Sequence, residues 1–265
     1  MNNENVLAIE TSTSECSVAL QTADGQMHQI TRSGNNIHSQ VVLPLVKELL
    51  EGSNLKLADL AAIGVCRGPG SFTGLRIGIG VAQGLAYGAR IPMFGFTSLD
   101  VLVNQCAGVF KQKSGKHLVI AALDARMQEV YWAPYLIDNN SDDCQRGFKS
   151  GEINVNRPSD IELPIDLNVA DFLVNDQITL LGSGWSAYPE LLTKLSLPQE
   201  LMPSESPSKS PNTLFPLASG LLNLFARSED QSAVLESAAN FAPFYVRNNV
   251  AAKPKPSIKS GSAVV

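Results

Sequence analysis

The sequence predicts a mixed α/β fold, and three observations carry that expectation. Short apolar runs at Val6–Ile9 and Cys16–Leu20, separated by the polar stretch Thr11–Glu15, have the length and composition of strands. Helical spacing follows over His38–Glu51. From Ala61 to Val109, strand-like and helix-like segments then alternate, as in a sheet covered by helices.

Each element has its own local reason. Asp24-Gly25 supplies a tight hairpin turn from the second strand into a third, Gln26–Thr31. In the first helix Val41, Val42, Leu45, Val46, Leu49 and Leu50 fall on one face, while Pro44 marks either a kink or the true first turn. Ala61–Cys66 reads as a buried strand ending in the loop Arg67–Gly74, and a helix is expected from about Thr73 to Ala89. Ile91–Phe96 is strand-like, and Thr97-Ser98 offers an N-cap for a helix over Leu99–Val109. The pattern then partly restarts. Leu118–Leu123 and Glu129–Leu136 read as strands around the turn Asp124-Ala-Arg126, and Thr179–Leu181 as a short strand entering Gly182-Ser-Gly184. Asp138–Gly151 and Pro198–Pro211 read as loops. Asn212-Thr213 caps a last apolar helix over about Leu214–Ala226. The stretch 251–265, with Lys253-Pro-Lys-Pro256, is expected to be a disordered tail.

Composition narrows the class. Of 265 residues 44% are hydrophobic and 17% charged, with a net charge of −5. A chain this poor in charge is not a self-repelling disordered polyelectrolyte. Its mild acidity argues against an unaided grip on a phosphate backbone, which rests on clustered Lys and Arg. The N-terminus MNNENVLAIETS lacks the basic start and apolar stretch of a signal peptide. No window approaches the roughly 18 apolar residues of a membrane span, so no membrane attachment is expected. Cys16, Cys66, Cys106 and Cys144 show no CxxC spacing, which predicts free thiols in a reducing cytoplasm.

Glycine is the unusual component. Gly64, Gly68, Gly70, Gly74, Gly78, Gly80, Gly84 and Gly88 fall within 25 residues. On a helical wheel the last five occupy one arc of roughly 160°, with Ile77, Val81 and Leu85 beside them and Leu75, Ile79, Ala82 and Ala86 opposite. Each helical glycine costs about 0.8–1 kcal/mol relative to alanine, so close backbone packing must recover several kcal/mol. Two readings stand: an internal helix pressed on its own sheet, or a helix whose second face meets another chain. Gly68, Gly70 and Ser71, just before the helix, are also an anion-site candidate through backbone N–H groups. The stricter phosphate motifs fail. Gln83 stands where a dinucleotide fingerprint needs its third glycine, and no Gly-Lys-Ser/Thr occurs.

Leu7-Ala-Ile-Glu-Thr-Ser12, Gly68-Pro-Gly-Ser-Phe-Thr-Gly74, Arg76-Ile-Gly-Ile-Gly80, Asp124-Ala-Arg126 and Tyr245-Val-Arg-Asn-Asn249 occur in that order. Together they resemble the TsaB (YeaZ) family, over nearly the whole chain. The resemblance implies an actin/Hsp70/sugar-kinase-like (ASKHA) fold of two related lobes of mixed sheet with helices. The lobes would span 1–110, carrying the dimerisation helices, and 111–250, whose last helix can pack back on the first lobe. It implies that the loop Glu10, Thr11, Ser12 corresponds to the superfamily's phosphate loop. It further implies a part in forming threonylcarbamoyladenosine on tRNA beside the anticodon.

The catalytic relatives of that family, the TsaD-type subunits, carry G-x-N-H-x-x-G-H, whose two His hold the active-site metal. Aligned on Gly95, this chain has Ser98 and Leu102 at those positions. Without imidazoles at i and i+4, one helical face cannot present that ligand pair. The resemblance therefore implies a non-catalytic, metal-free subunit. Its expected partners are a TsaD-type catalytic subunit, a TsaE-type ATPase subunit and a second copy of itself when alone, with tRNA held mainly through the complex. The expected interface comprises His38, Val41, Val42, Leu45, Gly74, Ile77, Gly78, Val81, Gly84, Leu85 and Gly88. ATP or ADP at the interface with partners is compatible with this, though not as a catalytic cofactor.

Two other activities would place different demands on these residues. An ASKHA kinase or ATPase would need room for phosphate at a loop where Ser12 replaces a customary glycine. A glycoprotease-like peptidase would need a converging Ser, His and carboxylate, and the three histidines His28, His38 and His117 are far apart. Asp124, Arg126 and Glu129 form either a turn with an internal ion pair or a contact across the cleft.

Overall fold

The structure, a computed structural model, describes residues 4–34, 36–106, 115–138, 148–149, 152–165, 167–203, 213–228 and 230–246. Several expectations lie outside these residues: the end of the helix at Val109, the lobe boundary at 110, and most of the loop Asp138–Gly151 with Cys144. The Asn212 cap, residues 247–249 and the tail 251–265 lie outside them too.

The first sheet begins as a meander. Strands β1 (Asn5–Glu10), β2 (Glu15–Gln21) and β3 (Met27–Ser33) pair antiparallel, with Leu7 opposite Leu20 and Ser17 opposite Thr31. Gly25 turns the second hairpin at φ +85°, a value that favours glycine. Helix α1 (His38–Gly52) crosses to β4 (Leu60–Val65), which runs parallel to β1. Pro44 stands in the second turn of α1 on its exposed side, where water can serve the Gln40 carbonyl it leaves without a donor. Helix α2 (Phe72–Ala89) leads to β5, which is only Met93–Phe94. The strand is shorter than expected because the Ile91 amide closes the end of α2 on Ala86 O and Pro92 has no amide to give. The sheet order is β3-β2-β1-β4-β5.

Both faces of this sheet are covered, and its central strands are accordingly apolar on both sides. Leu7, Ile9, Val18 and Ile63 pack under α1 and α2 through Leu45, Leu49, Ile79 and Ala82. Val6, Ala8, Ala19 and Ala62 face the other way. Helix α3 (Ser98–Gln105), capped by Thr97 Oγ1 on the Asp100 amide, joins the two lobes. Its Val101 enters the first core, while Leu99, Leu102 and Val103 pack on the second sheet.

The second sheet repeats the plan of the first. Strand β6 (Lys116–Asp124) pairs antiparallel with β7 (Val130–Asp138) and parallel with β10 (Ile178–Leu181). This is how β1 pairs with β2 and β4. Strands β8 (Phe148–Lys149) and β9 (Asn154–Asn156) add to β7. Short helices α4 (Val169–Leu173), α5 (Gly184–Ala187) and α6 (Glu190–Lys194) close its far face, where Trp185 and Leu191 bury Ile120 and Val130.

The last helix differs from expectation. Residues 214–217 form a bend and an irregular stretch, and α7 runs only from Ala218 to Arg227. Pro216 holds Phe215 out of the helical region. Gln105 then grips this segment, donating to Phe215 O at 2.8 Å and accepting from the Leu217 amide at 2.8 Å. The first helical amides are met by Ser17 Oγ and Gln29 Oε1, at 3.2 and 2.9 Å, not by a local cap. Thus α7 covers the open face of the first sheet, with Leu221, Leu222 and Phe225 over Ala8 and Phe94. The described residues after 230 also return to that lobe: Glu236 bridges to Met93, and Phe241 enters the first core.

Candidate functional site

The β1–β2 loop and the start of α2 are built against one another. Thr11 Oγ1 donates to Gly74 O at 2.9 Å, and the Ser71 amide donates to Ser12 O at 2.7 Å. A Cβ at Gly70 would lie 2.3 Å from Ser12 O, at Gly74 2.2 Å from Thr11 O, and at Gly78 2.1 Å from Thr11 Oγ1. These three glycines are therefore required for backbone contact within the lobe. Ser71 caps α2 by accepting from the Gly74 amide at 3.2 Å. Gly68 adopts φ +108°, and the bond to Pro69 is cis. Ser98, buried at the head of α3, clamps this loop by donating its hydroxyl to Pro69 O at 2.5 Å and its amide to Gly68 O at 2.9 Å.

The residues expected to form a phosphate loop are thus brought together, but much of their donor capacity is already used. The amides of Ser71 and Gly74 are occupied internally. Glu10, Thr11 and Ser12 are buried, with Glu10 Oε1 accepting from the Ser12 amide at 2.5 Å. Enclosure without a cation pushes the Glu10 carboxyl above its ordinary range, with Ser12 and the Cys66 thiol pulling it partly back.

The glycine arc straddles two environments. Leu75, Ile79, Ala82 and Ala86 face the sheet as the wheel predicts. Gly80, Gly84 and Gly88 have open space where a Cβ would stand. Half-buried Val41, Ile77, Val81 and Leu85 border them, and exposed Tyr87 stands beside Gly84 and Gly88 on the same side of α2. The expected interface is corrected accordingly. Gly74 and Gly78 press on Thr11, Val42 and Leu45 sit in the first core, and none of the four presents a surface. His38 is buried as well, its Nε2 3.3 Å from Glu15 O, while the N-cap of α1 is Ile37. Gly80 and Tyr87, both exposed, lie on the glycine face instead.

A cleft of about 840 Å³ separates the lobes. Ser12, Gly70 and Ser71 line one wall, and Leu123 to Met127 with Ser183 line the other. Asp124 Oδ1 accepts from the Arg126 amide at 2.8 Å and from Tyr188 Oη at 3.0 Å, and its Oδ2 pairs with Arg126 Nη1 at 3.2 Å. The turn with an internal ion pair is therefore present. Glu129 contributes backbone bonds to Ala125 and Arg126. Arg126, Met127 and Gln128 all have positive φ, of 61, 54 and 62°, conformations that cost of order 1 kcal/mol or more for such residues. Leu102, which the resemblance aligns with a metal-binding His, packs in the core of the second sheet beside Val119 and Tyr135.

One feature of the cleft escaped the sequence reading. Phe72, Phe244 and Tyr245 stand exposed at its mouth. They come from segments far apart in the chain; Phe72 and Tyr245 each stand in a family motif, but nothing in the sequence joins the two.

Two sheets repeating one strand pattern around a central cleft define a two-lobed mixed α/β protein. The family described as "TsaD: tRNA N6-adenosine threonylcarbamoyltransferase" matches residues 32–255. The tRNA threonylcarbamoyladenosine biosynthesis protein TsaB of Escherichia coli K12 is 37% identical over 251 residues, covering 95% of this chain and 98% of its own length. The Haemophilus influenzae TsaB is 32% identical over 256 residues, covering 97% and 99%. A solved structure, YeaZ from Pseudomonas aeruginosa, superposes with a TM-score of 0.69 at 32% identity, over 91% of this chain and 99% of that one. The chain belongs to the TsaD family, on its TsaB (YeaZ) branch of tRNA threonylcarbamoyladenosine biosynthesis proteins.

Proposed function

We propose that the chain is a non-catalytic subunit that docks a TsaD-type catalytic subunit and holds it in a productive conformation. The observation that carries this is the open stripe of Gly80, Gly84 and Gly88, bordered by Ile77, Val81, Leu85 and Val41. Three exposed helical glycines forfeit about 2–3 kcal/mol of helix stability, and among the described residues nothing packs on them to recover it. A second helix approaching the bare backbone recovers it. The same face serves a homodimer when the catalytic subunit is absent. A TsaE-type ATPase subunit joins the assembly, with ATP or ADP at the interface, and tRNA is held chiefly by the complex. The engaged amides of Ser71 and Gly74 speak against ATP turnover by this chain. Ser98 and Leu102, committed to the loop clamp and the core of the second sheet, speak against a metal-dependent transfer.

The test is reconstitution of tRNA modification with the catalytic homologue, with and without this chain. Gly84→Leu is expected to abolish association and partner-dependent modification while the variant keeps its circular dichroism and melting behaviour. Gly78→Leu is unsuitable as a probe, because its side chain would strike Thr11. Modification of tRNA by the isolated chain, or full association of Gly84→Leu, would overturn the reading.

A further inference from the structure

Nine large apolar side chains stand exposed among the described residues, and four of them gather at the mouth of the inter-lobe cleft. Phe72 is 50% exposed, Met127 75%, Phe244 41% and Tyr245 44%. They come from the first turn of α2, the β6–β7 turn and the C-terminal segment, so no single amphipathic element explains the cluster. Isolated exposed apolar residues need no explanation, but a concentration of them marks a contact surface.

A cation sits among the rings. The Arg76 guanidinium lies 3.2 Å from the Phe72 ring centroid and 5.5 Å from that of Tyr245. Among the described residues no carboxylate pairs with it. The platform is held in place from behind. The Phe244 amide donates to Arg67 O at 2.8 Å, and Arg67 pairs with Glu236 while lying 4.1 Å over the Phe241 ring. Phe72 is fixed by the Ser71-capped start of an 18-residue helix.

The chemistry of the cluster selects its occupant. A purely apolar partner would strand the guanidinium in a dry contact. An unpaired nucleotide satisfies both components, offering a π-face to the rings and a phosphate to the cation. Resting on the tRNA-modification reading above, we infer that Phe72, Arg76 and Tyr245 form a stacking platform for an unpaired nucleotide of the tRNA anticodon loop. The acidic balance of the chain agrees with one aromatic contact in place of a broad basic surface. A free adenine nucleotide offers the same chemistry, and the test separates the two.

Binding of a synthetic anticodon stem–loop RNA is measured by fluorescence anisotropy, both to the chain alone and to its complex with the catalytic homologue. A fully paired duplex of the same stem and ATP serve as comparison ligands. Phe72→Ala and Tyr245→Ala are each expected to weaken stem–loop binding roughly tenfold, while Phe72→Tyr and Tyr245→Phe retain it. Duplex binding is expected to stay unchanged in all four. Arg76→Ala is expected to lower affinity and flatten its salt dependence by about one phosphate contact. Unchanged stem–loop affinity in both alanine variants overturns the inference. So does a loss confined to ATP, which would assign the platform to a free nucleotide. Association with the catalytic homologue is followed by gel filtration on the same samples. RNA loss with intact association supports the platform, whereas failed association in the unsubstituted protein counts against the docking reading alone.

Discussion

Glu10 carries a pH dependence that can be worked out from its surroundings. In the unfolded chain its carboxyl ionises at the ordinary value. In the folded protein enclosure favours the neutral form. Its contribution to stability is therefore full below the ordinary value and is lost as pH rises towards the raised folded value. Glu10→Gln, which keeps a carbonyl for the Ser12 amide, is expected to shrink the fall in urea midpoint between about pH 5 and about pH 8. An unchanged fall would show that Glu10 does not set it. The glycines of α2 give a second test at this scale. Gly78→Ala is expected to cost about 1–3 kcal/mol, because Thr11 Oγ1 is held by Gly74 O and cannot yield freely. Gly84→Ala is expected to stabilise the monomer by up to about 1 kcal/mol, since its Cβ meets nothing. Denaturant titration of the two variants should return opposite signs.

At the scale of elements, what the sequence revealed depended on how local the cause was. The strands β1, β2 and β4 and the helices α1 and α2 follow from residues within each segment, and they stand close to where periodicity puts them. The start of α7 does not, because its amides are met by Ser17 and Gln29, about 190–200 residues earlier. The division of the glycines likewise depends on Thr11, 63 residues from Gly74. A helical wheel places residues relative to one another, but only the neighbour decides which side is inward. The apolar mouth of the cleft joins three segments, through Phe72, Met127 and Phe244-Tyr245, and leaves no periodic trace. Gln105 offers the clearest test of such long-range support. Gln105→Ala removes both of its bonds to the 214–217 segment and is expected to cost about 1–3 kcal/mol, read as a lower urea midpoint. A midpoint within error of the parent would mean that Pro216 alone fixes where α7 begins.

The molecule as a whole is held together through α3. Asp100 on this helix accepts from Tyr135 Oη at 2.8 Å and from Thr97 Oγ1 at 2.5 Å, tying the second sheet to the loop that ends the first. Both lobes thus share the helix that also clamps the Gly68–Ser71 loop, which lines the cleft and leads into α2, the helix of the proposed docking face. If the glycine face joins two copies, light scattering of the unsubstituted chain should show dimers that dissociate on dilution. Gly84→Leu should stay monomeric throughout. The return of α7 to the first sheet bears on a different matter, the order in which the molecule can be made. Val6, Ala8 and Ala19 are synthesised early, yet the side chains that cover them, Leu221, Leu222 and Phe225, come some two hundred residues later. At roughly 5–20 residues per second, that apolar sheet face waits on the order of ten seconds or more for its cover on the ribosome. The lobe translated first is the last to close its core, and during that interval the nascent chain is most exposed to aggregation.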